Sequence, residues 1–211
     1  MSYCVTGRSS TIIRELNSLI PGETSFSIGR NMNDDLILDL AEEFDVEKIP
    51  VHFERYVLAA GVLYPKRVSE QSFAETARSL AVNLTSVMRI CDYLIERNPR
   101  ARIAVISSES ARGSFDATYF TSKAALNAYI EHKKIGSPHQ QIIGISPTII
   151  IDSAMTERRH DIESVRLRAE KHPKGRFLSA AEVARMIHFM LWVDAGYTSN
   201  TVIHMNGGMF A

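Results

Sequence analysis

Short apolar runs alternate along the chain with longer segments in which apolar residues recur every three or four positions. Runs of this length, bounded by glycine, proline and polar residues, are typical of buried strands. The runs are YCVTG, TSFSI ending at Gly29, LILDL, RYVLAAG, ARIAVISS, QIIGISPTII bounded by Pro147, and NTVIHMNGG. The pattern therefore predicts about seven strands.

Helical spacing is found between these runs, in TIIRELNSLI, SFAETARSLAVNLTSVMRICDYLIERN, ATYFTSKAALNAYIEHKKI and SAAEVARMIHFMLW. In the longest of these segments we expect a bend near Asn83. Ser179 and Glu182 begin the last segment with the spacing of a capping box. Residues 153–176 are polar and charged, which predicts a loop with short helices.

Strands that alternate with helices predict an α/β fold, with a doubly wound Rossmann-type parallel sheet and helices on both faces. With 211 residues and no visible linker or repeat, we expect one domain over 1–211. One connection between predicted strands is too short for the helix that usually joins parallel strands. Only GRNMND separates the second run from the third, so the crossover helix there is missing or reduced, or one of the two strands is wrong.

Composition and charge narrow the class of protein. The 24 Lys and Arg residues balance 24 Asp and Glu residues, whereas nucleic-acid and anionic-membrane binders usually carry a basic excess. No apolar run approaches the roughly eighteen residues of a membrane span, and the first residues do not form a secretory signal. Cys4 and Cys91 fit buried reduced thiols. We therefore expect a cytoplasmic protein.

The first turn, VTGRSSTII, lies at the edge of the sheet where ligands of such folds bind. A helix N-terminus following a strand exposes backbone N–H groups that suit phosphate. Gly7 is present, but Thr11 and Ile13 stand where a full glycine fingerprint has further glycines. Ser9, Ser10 and Thr11 offer hydroxyl donors instead. From the turn alone, a phosphate site and an ordinary turn both remain open.

The end of the second predicted strand points to a particular dinucleotide. Arg30 stands where the adenosine ribose of the cofactor would lie. An acid at this position accepts from a free 2′-hydroxyl group, whereas an arginine pairs with a 2′-phosphate. Arg8, directly after Gly7, is placed to join it. These residues favour NADP over NAD, and the alternative is two solvated arginines.

Several motifs then follow one another along nearly the whole chain: TGRSSTI, LDL around Asp39, LAAG, VNL, ISS, YFTSK, ISPT, and RFLSAAEVARMIHFML followed by NTVIHMNGG. In this order they resemble the short-chain dehydrogenase/reductase family. Two glycines of the first motif are lost, Leu58 and Ala59 replace both asparagines of the family's NNAG, and Thr148 replaces the glycine of ISPG. A lone YxxxK is weak, but the ordered set is specific.

The resemblance implies an enzyme that interconverts a secondary alcohol and a carbonyl by hydride transfer from a nicotinamide cofactor. It assigns catalytic roles to Asn83, Ser108, Tyr119 and Lys123, with Asn83 holding a water. The distance in sequence from Ser108 to Tyr119 is slightly shorter than in the family, which leaves Ser107 and Ser110 as rivals for the serine.

The resemblance also implies a cofactor site along the edge of the sheet. Its residues are Gly7, Arg8, Ser9, Ser10, Thr11, Ile12, Arg30, Asn31, Asp39, Leu40, Ala59, Ala60, Gly61, Tyr119, Lys123, Pro147, Thr148 and Ile149.

The spacing of Tyr119 and Lys123 suits this chemistry. A phenol has an ordinary pKa of about 10, which a cation nearby lowers. Positions i and i+4 share one face of a helix, so Lys123 can lie beside Tyr119. We therefore expect a tyrosine whose pKa is lowered towards its working pH. On an unrelated helix the same two residues would be an ordinary surface pair.

The segment at about 152–177 would be the substrate lid, and its excess of Lys and Arg fits either an anionic substrate or a solvated helix. His160 and His172 lie far from other ligand types, so we expect no metal site. The family resemblance implies a homodimer or homotetramer through the two long helices, with a small-molecule substrate and no nucleic-acid or membrane partner. The lost glycines keep two alternatives open: a nucleotide-binding sensor or regulatory protein, and a structural subunit.

Overall fold

The computed structural model describes residues 2–114, 116–157, 162–193 and 196–210, without the side chains of Ser164 and Arg166. Within these residues seven strands form one sheet. They are β1 (Tyr3–Thr6), β2 (Ser25–Gly29), β3 (Leu36–Ile37), β4 (Arg55–Leu58), β5 (Arg102–Ile106), β6 (Gln141–Pro147) and β7 (Thr201–Met205). Their order is β3-β2-β1-β4-β5-β6-β7, and every pairing is parallel.

Helices connect most of the strands. They are α1 (Thr11–Leu19), α2 (Phe73–Leu80), α3 (Ser86–Arg97), α4 (Ala117–His132), α5 (Ala154–Glu157), α6 (Ile162–Glu170) and α7 (Ala180–His188). The predicted capping box begins α7, where the Ser179 hydroxyl accepts from the Glu182 N–H and the Glu182 carboxylate accepts from the Ser179 N–H. The short α5 and α6 lie in the segment predicted as a loop with short helices. Among the described residues, no helix is long and apolar enough to cross a membrane.

Neighbouring residues of each strand point to opposite faces of the sheet, and residues on both faces are buried. Ile142 of β6 belongs to the core on the side of α3 and α4, together with Leu126. Ile143 belongs to the core on the side of α1 and α7, together with Ile13. The sheet is therefore covered on both faces, which confirms the predicted doubly wound fold.

The connection from β2 to β3 contains no helix, as its length predicted. The third strand, expected as LILDL, is only Leu36–Ile37, so the prediction was wrong for residues 38–40. Two carboxylates of the loop over residues 30–35 hold it in place by accepting hydrogen bonds from backbone N–H groups. The Asp34 carboxylate accepts from the Asn31 N–H at 2.9 Å, and the Asp35 carboxylate accepts from the Ser27 N–H at 2.7 Å. These contacts let β3 pair directly beside the end of β2.

The long helical segment is not continuous. A π-helical turn, Ala81–Thr85, separates α2 from α3 at the place where a bend near Asn83 was expected. Turns of this kind are often found at functional sites. This turn brings the Asn83 side chain to the segment that follows β4.

Candidate active site

The order of the strands reverses between β1 and β4, and ligands of such sheets bind beyond the carboxyl ends of the strands at this point. Gly7 follows β1 with a φ of 76°. A Cβ atom at this position would lie 2.7 Å from the Ala60 nitrogen and 2.8 Å from the Ala59 carbonyl. Only glycine fits both this conformation and this close approach. The turns after β1 and β4 are therefore packed together.

The first turn of α1 shows how the chain accommodates the lost glycines. Ser10 caps the helix, and its hydroxyl accepts from the Ile12 N–H at 3.3 Å. The Ile12 and Ile13 side chains are in the core between the sheet and α1. Thr11 is also buried, whereas Ser9 is exposed. Ser9 is therefore exposed beside the N-terminus of α1, while Ile12 and Ile13 pack the helix against the sheet.

The two arginines lie at the end of β2. The Arg8 guanidinium donates to the Asn33 carbonyl oxygen at 2.6 Å and to the Ser27 hydroxyl at 3.5 Å. Arg30 and Asn31 are exposed in the loop that follows β2. The structure thus brings Arg8 and Arg30 to the same end of β2, where the sequence placed them.

Asp39 is already paired. Its carboxylate accepts two hydrogen bonds from the Arg78 guanidinium, at 3.1 and 3.2 Å, and one from the Ala41 N–H at 2.9 Å. Although burial acts to raise the pKa of Asp39, these hydrogen bonds and the charges of Arg78 and Arg30 hold it below its ordinary value. Leu40 is buried in the core beside α3 and α4.

Asn83 holds the segment after β4. Its side-chain oxygen accepts from the Val62 N–H at 2.9 Å, and its amide donates to the Val62 carbonyl at 2.8 Å and to Ser79 at 3.2 Å. A Cβ atom on Gly61 would lie 3.2 Å from the same side-chain oxygen. Asn83 therefore fixes the path of Ala59, Ala60 and Gly61, while its role with a water stays a prediction.

Ser108, Tyr119 and Lys123 come together at the carboxyl end of β5. Tyr119 and Lys123 lie one turn apart on α4, and the Lys123 ammonium is 5.7 Å from the centroid of the Tyr119 ring. The ammonium donates to the Ile106 carbonyl at 2.7 Å. The Ser108 side chain acts on Tyr119, where its hydrogen bonding works to lower the pKa of the phenol. All three side chains meet where β5 ends.

The expected lowering of the Tyr119 pKa was wrong. Burial raises the pKa of Tyr119 to about 12, against the opposing effect of the Ser108 hydrogen bond, and the Asp116 carboxylate adds to the rise. Burial also lowers the pKa of Lys123 to about 8. Because both groups are almost fully buried, desolvation outweighs the attraction that the spacing suggested. Tyr119 is therefore a neutral phenol near pH 7.

Of the three candidate serines, Ser108 is the one whose side chain acts on the pKa of Tyr119. The Ser107 hydroxyl donates to Asn127, on the middle of α4. Ser110 lies in the short 3₁₀ turn Glu109–Arg112, and its N–H donates to the Ser108 hydroxyl. The geometry thus favours the serine that the resemblance indicated.

The turn after β6 contains the residues expected to meet the nicotinamide. Pro147 is the last residue of β6, and the Thr148 N–H donates to the Met205 carbonyl at the end of β7. Thr148 and Ile149 are partly exposed. They lie beyond the strand next to β5, so the turn and Ser108 share one edge of the sheet.

Sequence reasoning missed three residues of this edge. Thr6 joins the turn after β1 to the turn after β4, since its hydroxyl accepts from the Ala60 N–H at 3.2 Å. Asp116 caps α4, accepting from the Tyr119 N–H and from the Tyr64 N–H. Glu109 is buried directly after Ser108. Thr6 could have been found from the TG of the first motif, and Asp116 from its place directly before a helical run. No pattern in the sequence indicates that Glu109 is buried.

No cluster of His, Cys, Asp and Glu that could hold a metal ion occurs among the described residues. His172 is partnered by the Asn206 carbonyl, while His160 lies outside the described part of the chain.

Known reductases resemble this chain in sequence. L-xylulose reductase of Caenorhabditis elegans is 24% identical over 177 residues, which cover 79% of this chain and 70% of that protein. The 3-oxoacyl-[acyl-carrier-protein] reductase of Aquifex aeolicus is 28% identical over 157 residues, which cover 72% of this chain and 63% of that protein. The matches therefore span between 63% and 70% of the length of these relatives.

The fold also occurs in solved structures. The ligand-free aldohexose dehydrogenase of Thermoplasma acidophilum superposes with a TM-score of 0.85 at 20% identity, covering 99% of this chain and 93% of that one. A likeness at this identity supports the fold alone. The family model described as enoyl-(acyl carrier protein) reductase matches residues 40–210. With that match and the ordered motifs in place, the chain belongs to the short-chain dehydrogenase/reductase family.

Proposed function

We propose that this protein is an NADP-dependent oxidoreductase that interconverts a secondary alcohol and a carbonyl. The observation that carries the proposal is the meeting of Ser108, Tyr119 and Lys123 at the carboxyl end of β5. These three groups lie beside the strand-order switch, where the fold binds its ligands. A tyrosine, a lysine and a serine at this place supply what proton transfer at a carbonyl oxygen requires.

Tyr119 is the proposed general acid/base. With its pKa raised to about 12 by burial, it is protonated near pH 7 and can donate to a carbonyl oxygen. The Ser108 hydroxyl would hold the same oxygen. The Lys123 cation would stabilise the phenolate that remains after the proton has left. This arrangement suits the reductive direction at neutral pH.

The residues at the switch point fit a dinucleotide, which supplies the hydride when bound. Gly7 lets the turns after β1 and β4 pack closely together, and the N-terminus of α1 is next to it. The remaining contacts would come from Ala59 to Gly61, from Asp39 and Leu40, and from Pro147 to Ile149. Lys123 would also reach the ribose beside the nicotinamide.

The preference for NADP is supported by the charges at the end of β2. Arg8 and Arg30 are the cations there, and Arg8 is already directed to the loop after β2. The nearby Asp34 and Asp35 carboxylates accept backbone N–H groups. They are therefore engaged within the loop rather than presented to a ribose 2′-hydroxyl group. A 2′-phosphate matches the two guanidinium groups better.

A second candidate function is a nucleotide-binding sensor with weak turnover. It is favoured by the first turn, where Thr11 and Ile13 are buried at the positions of the lost glycines. Such a protein would bind the dinucleotide without reducing any member of a broad carbonyl panel.

The remaining features of the proposal follow from the family. The substrate is a small carbonyl or alcohol, and the segment at 152–177 acts as its lid. Two copies or four would associate through the two long helical segments, around 72–98 and 116–134, and the protein would act in the cytoplasm.

The first test is turnover by Tyr119→Phe. Wild-type protein is titrated with NADPH and NADH by calorimetry and assayed on a panel of aldehydes, ketones and secondary alcohols. We expect Tyr119→Phe to lose at least about a hundredfold in kcat, because the proton donor is gone, and to keep its NADPH affinity. Tyr197→Phe, which changes a fully exposed tyrosine, is the matched control and should keep full activity. Full activity in Tyr119→Phe would refute the tyrosine mechanism.

The second test concerns the 2′-phosphate. Arg30→Ala is expected to weaken NADPH binding by about tenfold while leaving NADH binding nearly unchanged, because a charge-assisted hydrogen bond is lost. Arg97→Ala, at the end of α3, is the control for the loss of a positive charge elsewhere. An Arg30→Ala protein that still prefers NADPH as strongly as wild type would remove Arg30 from the argument.

A further inference from the structure

A buried carboxylate lies directly after the proposed catalytic serine. The Glu109 side chain is 3% exposed, although it belongs to a short surface turn between β5 and α4. It is bonded to groups from two other strands. The Ser146 hydroxyl donates to one carboxylate oxygen at 2.7 Å, and the His204 Nδ1 lies 2.5 Å from the same oxygen.

The second oxygen of Glu109 is also occupied. The Asn206 amide donates to it at 2.9 Å, and the Arg112 guanidinium lies 3.4 Å away. Although burial acts to raise the pKa of Glu109, the hydrogen bonds from His204, Asn206 and Ser146 hold it below its ordinary value. The side chain is thus an ionised carboxylate with four partners. With both oxygens taken and so little exposure, it has no place for a substrate group.

The partners of Glu109 come from the parts of the molecule that surround the proposed active site. Ser146 immediately precedes the Pro147 turn, and Asn206 follows β7. The Asn206 carbonyl is in turn 3.0 Å from the His172 Nε2, near the end of the lid segment. The His172 Nδ1 accepts from the Lys174 N–H, so Nε2 carries the proton and donates to Asn206. Glu109 therefore links the serine turn to β6, to β7 and, through Asn206, to the lid.

We propose that Glu109 is a positioning residue that fixes the orientation of the Ser108 hydroxyl. Ser108 and Glu109 are consecutive, and Ser108 is the capping residue of the turn that Glu109 anchors. The hydroxyl can point at Tyr119 only while the turn stays in place against β6 and β7. The proposal rests on the proposed function, because it assigns the role through Ser108.

The test compares Glu109→Gln with wild type. Glutamine keeps the size of the side chain but removes its negative charge. Its NH2 group is a donor, so it cannot accept from the Asn206 amide or from the other donors that the carboxylate oxygens meet. We expect kcat to fall by on the order of ten- to a hundredfold, since small misplacements of reacting groups have such effects. NADPH affinity should stay within about twofold. Glu23→Gln is the control, because Glu23 is a partly buried carboxylate bonded to Trp192 at the opposite end of the sheet.

A double-mutant cycle separates positioning from a general loss of structure. In a Ser108→Ala background there is no hydroxyl to position, so adding Glu109→Gln should change the residual kcat by less than about threefold. An equal loss of kcat in both backgrounds would overturn the proposal. Should Glu109→Gln not fold, His204→Ala removes a single partner of the carboxylate and is expected to show a smaller loss with the same dependence on Ser108.

Amide hydrogen exchange tests the same link without any activity. Glu109→Gln is expected to speed exchange at least about tenfold in residues 107–113 and 205–208, because the carboxylate ties these segments together. Unchanged exchange there would overturn the proposal even if the enzyme proves inactive. If the wild type turns over and Glu109→Gln has the same kcat and the same exchange, only the positioning role is refuted. If the wild type shows no turnover but Glu109→Gln exchanges faster, only the proposed function is refuted.

Discussion

Lys123 is the residue at which the demands of the proposed chemistry and of stability conflict. Its ammonium is buried, and burial lowers its pKa to about 8, against an ordinary value of 10.5. The unfolded chain holds this proton more tightly than the folded chain, so below pH 8 the charged lysine costs folding free energy on the order of 3 kcal/mol. A substitution would also remove the hydrogen bond from the ammonium to the Ile106 carbonyl, and that loss offsets part of the gain from removing the charge.

Lys123→Met should therefore stabilise the protein while it abolishes turnover. At pH 7 we expect the free energy of unfolding in urea to rise by about 1–2 kcal/mol, because the buried charge is gone. The gain should shrink as the pH rises from 8 towards 10.5, where the wild-type lysine loses its proton in both states. Lys134→Met, at an exposed position just after α4, is the control. A Lys123→Met protein less stable than wild type at pH 7 would contradict this account.

At the scale of single residues, the sequence predicts which side chains lie together better than it predicts what surrounds them. Tyr119 and Lys123 are four positions apart on one helix, so their proximity follows from helix geometry. The raised pKa of Tyr119 could not be predicted in the same way, because it is set by burial, and burial depends on which distant segments pack against α4. Glu109 was not predicted for a similar reason. Its partners His204 and Asn206 are 95 and 97 residues away, and no local pattern announces such contacts.

Among the elements, the π-helical turn Ala81–Thr85 joins α2 and α3 to the segment after β4, which is part of the proposed cofactor site. Asn83→Ala would leave the partly buried Val62 N–H and carbonyl without their partner, which costs about 1 kcal/mol, the lower end for an unsatisfied group. We expect that loss of stability together with weaker NADPH binding, because residues 59–61 would no longer be held. Unfolding in urea and calorimetric titration with NADPH measure the two effects.

A second buried asparagine provides the matched control. Asn98 donates to the Phe53 carbonyl and accepts from the Arg100 N–H, at the opposite end of the strands. Asn98→Ala should lose similar stability and keep its NADPH affinity. Equal weakening of NADPH binding in both variants would mean that the effect is general and does not pass through the segment after β4.

The elements themselves could be predicted where the periodicity was long. The helices around α3, α4 and α7 and the buried strands follow from their apolar spacing, which burial of one or both faces requires. β3 could not be predicted at its true length, because LILDL is apolar enough for a longer strand. It is short because the loop over 30–35 brings only Leu36 and Ile37 beside β2.

For the whole molecule, a formal net charge of zero does not make the free energy of unfolding independent of pH. Several carboxylates are bound by donors in the folded state. Hydrogen bonds from Arg176, followed by one from the Ser179 N–H, lower the pKa of Glu182 to about 2. Backbone and side-chain hydrogen bonds from Ser27 lower the pKa of Asp35. A carboxylate with a lowered folded pKa contributes stability above its unfolded pKa of about 4, and the contribution is lost as pH falls towards the folded pKa.

We therefore expect the free energy of unfolding to decrease from pH 5 to pH 3, as these carboxylates take up protons on unfolding. Glu182→Gln should be less stable than wild type at pH 7, because the capping box and the pair with Arg176 are weakened. It should also lose less stability than wild type between pH 5 and pH 3, since it has one titrating carboxylate fewer. Glu42→Gln, at an exposed position, is the control. Parallel urea midpoints for Glu182→Gln and wild type across that range would show that α7's cap does not contribute to the acid sensitivity of the fold.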